Sequence, residues 1–403
     1  MSKLIIIGGG AAGLFAAITA AKKNIDVTVI EHSDIYGKKI LSTGNGKCNM
    51  TNLDMVSSKY YGDVNFVESV LQKVDPTRLI DIFQDMGLMT RQRDGYVYPY
   101  SNQAMTVRKL LLNMCNLLNV NFINNCNVKT ISKTDDIFEV VTEEGVYNSD
   151  YVLLATGGKS FPKSGSDGSG YKLAKLLGHT TVNTVPALTA VICNEKNLKQ
   201  IAGVRAKASI VVDDKCGNTY TEQGEVQFTD YGLSGIPVFN LSRIIAYSLK
   251  KGKHPVINVD LTPDLSKEEL IETIQIQSRQ SGTRTILEQI SYIINDKLAL
   301  YILDALGISN DKKLLSIDEQ SIELITSYLK KITFNAANIK GFDFAQVTAG
   351  GIPTYEINQN TMESKLVKDL YFAGEIIDID GVCGGYNLHF AWASAYIAAK
   401  GMK

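Results

Sequence analysis

The sequence predicts an α/β fold in which one doubly wound domain is split by an insertion. A strand, a glycine-rich turn and a helix occupy residues 4–21, and the same order of elements returns over 370–400. Residues 190–334 differ from both, because they contain short alternating strands followed by helices. Strand–helix units build parallel sheets, so we expect the two ends of the chain to share one sheet.

The first stretch matches a dinucleotide-binding fingerprint. The apolar run Leu4–Ile7 leads into G-x-G-x-x-G at Gly8, Gly10 and Gly13, followed by an apolar helix. In this motif the first glycine makes a tight turn and the second lets a pyrophosphate approach the backbone. The third lets the helix pack closely on the strand. Free N–H groups and the positive dipole at the helix start then face the phosphates.

Glu31 supports the same interpretation. It ends the second strand-like run, Val27–Ile30, about 20 residues beyond the glycines, where an acidic side chain can bind both ribose hydroxyls. A glutamate would repel a 2′-phosphate, so the predicted ligand is FAD or NAD. The alternative is a glycine-rich turn without a ligand, but the flanking strand and helix, together with Glu31, argue against it.

Composition and charge limit the class of protein and the partners that we expect. The 403 residues suffice for two or three domains, and 45% hydrophobic with 21% charged residues is ordinary for a globular protein. The net charge is −1 with no basic block, so binding to nucleic acid or a membrane surface receives no electrostatic support. The six scattered cysteines lack metal spacing. We expect no metal, no signal peptide, no membrane span and a cytoplasmic location, and we make no prediction of oligomeric state.

A loop of small, polar and basic residues follows Glu31 and extends to Asn52. Its glycines and short side chains suit wrapping a polar ligand. Lys38 and Lys39 are expected to neutralise a pyrophosphate there. The alternative is a solvated surface loop.

The next part of the chain is predicted to contain helices and a small meander. Helices are expected over Asn65–Met86, with a break at Pro76, and over Ala104–Leu118. The aromatic stretch Tyr96–Asn102 either lines a substrate pocket or forms an edge strand and turn. Residues 127–147 are predicted as a β-meander.

Tyr151–Gly158 is predicted as a buried parallel strand that returns the chain to the dinucleotide site. The later run Gly165–Gly170 resembles a second fingerprint. A polar, proline-containing loop over 159–164 precedes it instead of an apolar strand. We therefore predict no dedicated nicotinamide-binding domain.

The insertion is predicted to have two parts. Ala190–Asp260 alternates polar and apolar residues, which predicts an antiparallel β unit, and Asp264–Phe334 is predicted to be helical. Capping boxes are expected at Ser266 with Glu269 and at Ser316 with Glu319. The predicted domains are 1–186 and 336–403 for the cofactor domain, 187–262 for an inserted β domain and 263–335 for an inserted helical domain.

The C-terminal part completes the cofactor domain. Leu370–Glu375 is a strand ending in glycine and an acid, Gly381–Asn387 is a loop, and a helix follows. The acid can hold a ribityl chain, and the helix N-terminus can stabilise negative charge on a flavin ring. A split FAD domain explains both ends of the chain.

Several motifs resemble a bacterial flavoprotein family that includes BaiN-like and aminoacetone-oxidase-like proteins (YhiN-type oxidoreductases). The matching segments are Gly37–Lys39 with Thr43–Asn52, Ala155–Gly158 with Gly165–Gly170, Tyr231–Gly235, Val347–Gly351, and Thr361–Lys365 with Tyr371–Leu388. The likeness covers nearly the whole chain. Two positions depart from the pattern, since Ile236 interrupts a Ser-Gly-Pro order and Lys47 replaces an arginine.

The resemblance implies FAD in a split Rossmann-like, two-dinucleotide-binding-domain type of fold with an inserted β-barrel-like and helical module. It also implies residue contacts: the glycine turn with the ADP half, Val128 with adenine, and the C-terminal residues with the ribityl chain and ring. The expected cofactor-binding residues are Gly8, Gly10, Ala11, Ala12, Gly13, Glu31, Lys38, Lys39, Gly44, Asn45, Gly46, Cys48, Asn49, Val128, Thr156, Gly157, Gly158, Gly374, Glu375, Gly385, Asn387 and Leu388.

The sequence offers few candidates for catalytic residues. Tyr386 is our candidate catalytic residue, as a hydrogen-bond donor to substrate or flavin. His389 is interpreted as a packed or solvated helix residue, and Cys48 and Cys383 as small packing residues. Segments 91–102 and 227–235 are expected to line the pocket for a small-molecule substrate.

Three functions stay open. The first is an FAD-dependent reductase or dehydrogenase of a small or steroid-like substrate, with NAD(P)H as a transient electron donor. The second is an amine oxidase of the aminoacetone type that uses O2. The third is an FAD-loaded redox sensor or binding protein without turnover. An RNA-modifying role ranks fourth because the net charge is near zero.

Overall fold

The structure, a computed structural model, describes residues 1–280 and 283–403. Its strands are β1 (Lys3–Ile7), β2 (Asp26–Ile30), β3 (Thr51–Asn52), β4 (Tyr60–Gly62), β5 (Thr90–Arg93), β6 (Tyr96–Pro99), β7 (Asn121–Ile123), β8 (Val128–Thr134), β9 (Ile137–Thr142), β10 (Val146–Ser149), β11 (Tyr151–Leu154), β12 (Val185–Ala187), β13 (Val191–Cys193), β14 (Arg205–Asp213), β15 (Thr219–Thr229), β16 (Gly232–Ser234), β17 (Val256–Asp260), β18 (Ile332–Ile339), β19 (Val347–Ala349), β20 (Leu370–Phe372) and β21 (Ile379–Gly381). Its helices are α1 (Ala11–Ala21), α2 (Val64–Lys73), α3 (Pro76–Asp85), α4 (Ala104–Leu117), α5 (Ser169–Leu176), α6 (Ile236–Lys250), α7 (Lys267–Gln280), α8 (Ile286–Ser291), α9 (Asp296–Leu306), α10 (Glu319–Lys330) and α11 (Tyr386–Gly401).

The chain forms two units. The first comprises 1–185 and 346–403, and the second comprises 186–345. Among the described residues, every helix is too short or too polar to cross a bilayer.

The first unit is built on a five-stranded parallel sheet in the order β20-β11-β1-β2-β7. In the central strand, Ile6 is paired with Leu153 on one side and with Val29 on the other. The predicted buried strand at 151–154 therefore lies beside β1. The C-terminal β20 extends the same sheet, which confirms the split Rossmann-like domain.

The first and last helices pack together in this unit. Phe15 on α1 lies 5.5 Å from Trp392 on α11, ring centroid to centroid, and both rings contact Phe83 of α3. Trp392 is fully buried. Both ends of the chain are therefore fixed by one aromatic cluster as well as by one sheet.

Smaller sheets complete the first unit. The predicted meander is present as β8, β9 and β10, and the predicted helix break at Pro76 separates α2 from α3. The aromatic stretch at 96–99 forms β6, which lies between β3 and β5 rather than at the sheet edge. It is therefore a central strand of a small sheet, and its possible contact with substrate stays a prediction.

The second unit contains a closed barrel in the order β13-β16-β15-β14-β17-β18. The antiparallel β unit predicted over 190–260 is present as the barrel strands β13 to β17, but α6, which we did not predict, occupies 236–250 between them. Its buried Val238, Leu241 and Ile245 recur at helical spacing behind Pro237 in the first turn. From sequence, we assigned this segment the β structure of the strands that flank it.

The barrel also includes a strand that we had predicted as helix up to residue 334. In β18, Ile332, Phe334 and Ala336 are buried, whereas Thr333 and Asn335 are exposed. This period of two is typical of a strand with one buried face. The strand pairs with β13 and β17, so a domain boundary at 336 would divide it.

Helices α7–α10 form the helical part of the second unit. The predicted capping box at Ser266 and Glu269 is confirmed, since each side chain accepts a hydrogen bond from the other's backbone N–H. The box at Ser316 was wrong, because Asp318 caps α10 and the Ser316 hydroxyl bonds the Lys313 carbonyl. A second capping box exists at the start of α8 instead.

Gly13→Ala should destabilise the protein by about 1–3 kcal/mol, because an added Cβ would lie 1.9 Å from the Gly8 carbonyl oxygen. The matched control is Gly10→Ala, where a Cβ would meet nothing within 4 Å. Thermal melting of cofactor-free protein measures both without the stabilisation that a ligand adds. Equal melting temperatures for the two variants would contradict this account.

Candidate cofactor site

The glycine turn has the close contacts that its sequence predicts. Gly8 has φ +103°, and a Cβ there would lie 2.6 Å from the Ala155 carbonyl oxygen, so the turn lies directly against the end of β11. The first helical hydrogen bond runs from Leu14 N–H to the Gly10 carbonyl at 3.0 Å. The N–H groups of residues 11–13, which include Ala11 and Ala12, therefore have no helical acceptor. The open space over Gly10 leaves them accessible to an anion.

Glu31 lies beside this turn at the end of β2. Its carboxylate accepts hydrogen bonds from Gly9 N–H at 2.7 Å and from Ser33 N–H at 2.9 Å, and it contacts His32 Nδ1 at 3.1 Å. Burial would raise the pKa of Glu31, but the bonds from His32, Ser33 and Gly9 hold it below its ordinary value. Glu31 is therefore an ionised acceptor beside the turn, as its predicted role requires.

Val128 lies in the adjoining segment. Ile123 at the end of β7 accepts a hydrogen bond from Glu31 N–H at 2.8 Å, and Cys126 N–H donates to the Glu31 carbonyl at 3.0 Å. Val128 follows two residues later at the start of β8. The backbone contact to adenine stays a prediction.

The loop after Glu31 is more ordered than predicted, because residues 38–46 form 3-10 turns. The chain reverses direction at Gly44, Asn45 and Cys48, each with a positive φ between 53° and 59°. Gly46 also has a positive φ. Cys48 is fully buried, and burial raises the pKa of its thiol to about 12, so it is an inert packing residue as interpreted.

Asn49 provides an observation that points to a ligand. Its amide oxygen Oδ1 is buried and has no hydrogen-bond partner among the described residues. A Cβ on Gly385 would lie 2.9 Å from this oxygen, so the loop meets the start of α11 here. Because buried polar atoms are rarely unpaired, Asn49 Oδ1 is suited to accept a hydrogen bond from a bound molecule.

Lys39 has a different partner from the predicted one. Its ammonium Nζ pairs with Glu375 Oε2 at 2.7 Å, and both side chains are mostly buried. Two residues expected to contact the cofactor therefore bind each other, and the role of Lys39 toward a pyrophosphate stays a prediction. This pair could not be predicted, because Lys39 and Glu375 are far apart in the sequence. Lys38 is only half-buried.

Thr348 is a residue of this site that sequence reasoning missed. Its hydroxyl accepts hydrogen bonds from Lys159 N–H at 2.7 Å and Ser160 N–H at 3.0 Å, and its own N–H donates to Glu375 Oε1 at 2.9 Å. A Cβ on Gly158 would lie 2.4 Å from the Thr348 hydroxyl. The sequence did offer one indication, because Thr348 lies in segment 347–351, which resembles the flavoprotein family.

The turn over 156–158 and the end of β20 are brought to the glycine turn. Gly374 has φ +77°, and a Cβ there would lie 3.1 Å from the Ala12 Cβ, so the Gly374–Glu375 segment adjoins the start of α1. Gly157 also has a positive φ, and Thr156 packs against Gly170. These contacts place the predicted residues of both chain ends in one region.

The Tyr386 hydroxyl already donates a hydrogen bond within the protein, and its predicted catalytic role stays a prediction. Tyr386 is 4% exposed, and its hydroxyl donates to the Asp54 carbonyl at 2.9 Å. Burial raises the pKa of Tyr386 to about 12. Its single proton therefore already has an acceptor, and its ring packs edge-on against Tyr60.

Asn387 has a structural role in the loop that precedes α11. Its amide accepts from Gly381 N–H at 2.8 Å and donates to the Gly381 carbonyl at 2.7 Å. Both ends of the amide therefore hold the 381–387 loop, and the expected contact of Asn387 with a ribityl chain or ring stays a prediction. Leu388 is half-buried.

His389 is a packed residue, as interpreted. Its Nε2–H donates to the Val74 carbonyl at 2.9 Å, and Nδ1 accepts from the Thr51 hydroxyl at 2.8 Å. Burial lowers the pKa of His389 to about 4, so the ring is neutral at pH 7.

Taken together, the residues fit a dinucleotide. Helix N–H groups lie open at Gly10, an ionised carboxylate lies beside them at Glu31, and an unpartnered amide oxygen lies at Asn49. These are donors for phosphate, an acceptor for ribose hydroxyls and an acceptor for an N–H donor.

Comparison with known proteins gives the family. A family model described as the HI0933-like protein Rossmann domain matches residues 2–401. The chain belongs to the HI0933-like family. Its cofactor domain is a Rossmann-like FAD-binding domain, and the chain is a flavoprotein of the oxidoreductase class.

Relatives cover the whole length of this HI0933-like chain. The 3-dehydro-bile acid delta(4,6)-reductase of Clostridium scindens is 36% identical, over 99% of this chain and 98% of that protein. The ribosomal RNA dihydrouridine synthase of Haemophilus influenzae is 28% identical, over 99% and 98%. The structure of 3-ketosteroid delta1-dehydrogenase from Sterolibacterium denitrificans has a TM-score of 0.53 at 12% identity, covering 99% of each chain, which shows a shared fold.

Gly10→Ala should lower the affinity for FAD by tenfold or more, because a methyl group would fill the open space through which phosphate reaches the helix N–H groups. Retained flavin absorbance after dialysis, followed by titration of stripped protein with FAD, measures this loss. The stripped variant should melt like wild type. Undiminished FAD affinity would show that phosphate does not approach at Gly10.

His389→Gln should flatten the acid side of the stability profile. The folded pKa is below the unfolded one, so the unfolded state binds more protons between pH 6.5 and 4, and wild type loses up to about 3 kcal/mol as pH falls through that window. Urea unfolding of both proteins at several pH values measures the difference. His254→Gln, at an exposed position, is the control. Parallel profiles for wild type and His389→Gln would refute the assignment.

Proposed function

We propose that this flavoprotein is a reductase that uses NAD(P)H to reduce a carbon–carbon double bond of a small, steroid-like substrate. The observation that carries the proposal is the 36% identity, over nearly the full length of both chains, to a protein named as a bile acid delta(4,6)-reductase. The cofactor site of the first unit supplies the place for the required flavin.

The reaction balances without a further reactant. NAD(P)H provides a hydride, which is two electrons and one proton, and solvent provides the second proton added across the double bond. Bound FAD would carry the two electrons between the nicotinamide and the substrate.

The chain's own residues would hold and orient the cofactor. N–H groups at the start of α1 would bind its phosphates, and Glu31 would bind a ribose. Asn49 would accept a hydrogen bond with its free amide oxygen. The Lys39–Glu375 pair and Thr348 would fix the turn at Gly158.

The nicotinamide donor requires no domain of its own in this proposal. Among the described residues, the second unit is a barrel with helices rather than a second dinucleotide fold. NAD(P)H would therefore dock transiently at the flavin.

A second candidate function has a specific observation in its favour. Ribosomal RNA dihydrouridine synthases of Haemophilus influenzae and Escherichia coli are each 28% identical over nearly the full chain. Forming dihydrouridine also reduces a double bond conjugated to a carbonyl group, so the chemistry is shared. The net charge of −1 gives little attraction for phosphate, which is why we rank the small substrate first.

Anaerobic addition of NADH or NADPH to the purified yellow protein should bleach the flavin, and a neutral 3-oxo-4-ene steroid should then restore the colour. Stopped-flow absorbance follows both half-reactions. Protein stripped of FAD is the control. A flavin that NAD(P)H leaves oxidised while amines reduce it would establish the oxidase instead. Reoxidation by uridine-containing ribosomal RNA but not by the steroid would establish the RNA function.

A further inference from the structure

A small sheet of the first unit presents two arginines and two tyrosines on one face. In the hairpin of β5 and β6, Arg91 pairs with Tyr98, and Arg93 pairs with Tyr96. Residues directly opposite each other in an antiparallel pair have their side chains on the same side of the sheet. Val97, between the two tyrosines, is 2% exposed, so its side of the sheet is the inner one. We call the outer group of Arg91, Arg93, Tyr96 and Tyr98 the hairpin face.

The positive charge of the hairpin face is available to a ligand. Both arginines are exposed. Among the described residues, Arg91 has no carboxylate partner, and its guanidinium carbon lies 4.2 Å from the ring centroid of Tyr100. Arg93 Nε contacts Asp94 at 3.4 Å, but these two side chains are 84% and 81% exposed, so water screens the pair.

The hairpin face adjoins the loop that leads into α11. A Cβ on Gly384 would lie 2.9 Å from Tyr96 Cε1. Asn52, directly opposite Tyr96 in β3, donates from Nδ2 to the Gly384 carbonyl at 3.1 Å. The next residue, Gly385, approaches Asn49 Oδ1. The hairpin face therefore lies next to the segment that is predicted to contact the ribityl chain and ring of the flavin.

The side chains of the hairpin face match the chemical groups of a nicotinamide dinucleotide. Guanidinium groups bind phosphate oxygens in pairs. Residues two apart on a strand are separated by about 7 Å, so Arg91 and Arg93 can reach neighbouring phosphates. Tyr96 and Tyr98 are half-buried, and their rings can stack on nicotinamide or adenine. A neutral 3-oxo-4-ene steroid has neither a phosphate nor an aromatic ring, so this face favours the electron donor over the substrate.

We propose that the hairpin face binds NAD(P)H, with Arg91 and Arg93 on its phosphates and a tyrosine ring stacked on one of its flat rings. The inference rests on the proposed reductase function and names the place where its electron donor docks. The four residues are binding residues in this proposal, and they take no part in electron transfer.

The first test measures binding without flavin reduction, by equilibrium dialysis of NADP+ and of NAD+ against the oxidised holoenzyme. Replacing both arginines, by Arg91→Gln with Arg93→Gln, should weaken the tighter nucleotide at least tenfold, because two charge-assisted contacts are lost. Added salt should weaken binding to wild type but have little effect on this double variant, since salt screens exposed charge contacts. A merely structural role of the arginines would leave the salt dependence unchanged.

Tyr98→Leu should weaken nucleotide binding about fivefold, because leucine keeps apolar bulk but cannot stack on a base. Arg78→Gln is the matched control, since Arg78 is an exposed arginine of the same unit, on α3. It should keep the wild-type affinity. Normal flavin content and melting temperature in each variant would show that folding is intact.

Unchanged nucleotide affinity in the double variant would overturn the proposal, as would an equal loss in Arg78→Gln or a wild type that binds neither nucleotide. A double variant that loses the steroid or an oligoribonucleotide, but not NADP+ or NAD+, would overturn it in favour of that ligand. The proposed reductase function is judged separately. Flavin reduced with dithionite should be reoxidised by the neutral steroid, whether or not a nucleotide binds at the hairpin face.

Discussion

The contact between Gly13 and the Gly8 carbonyl oxygen determines how the cofactor domain can be built. A Cβ at residue 13 would lie 1.9 Å from that oxygen, so α1 can begin this close to β1 only without a side chain. The close approach directs the free N–H groups of α1 at the space over Gly10. It also places Phe15 where it packs on Trp392. The turn therefore fixes both the anion site and the helix that joins the chain ends.

That junction explains how the domain tolerates a long insertion. β20 adds to β11 in the sheet and α11 packs on α1, so residues on both sides of the insertion depend on contacts with the N-terminal part. Gly374 approaches Ala12, and Gly385 approaches Asn49. A Cβ would lie 3.1 Å from the Ala12 Cβ at the first position and 2.9 Å from Asn49 Oδ1 at the second, so a larger residue at either would displace its neighbour. These glycines, which are far apart in sequence, therefore serve the same purpose, which is to let neighbouring segments pack closely around one site.

Features that depend on local periodicity or on glycine were predictable from sequence. These include the parallel strands, the break at Pro76 and the close packing at Gly13. Features that depend on a distant partner were not. Examples are the ion pair of Lys39 with Glu375 and the hydrogen bond from the Tyr386 hydroxyl to the Asp54 carbonyl. Burial in strand β18 alternates with a period of two. Because the strand follows four helices in the sequence, we predicted helix up to residue 334 and did not predict its pairing in the barrel.

Substrate choice in this family must depend on residues outside the FAD contacts. Proteins named as a bile acid reductase and as ribosomal RNA dihydrouridine synthases align with nearly the whole of this chain. Both names describe reduction of a double bond, so one flavin site can serve both.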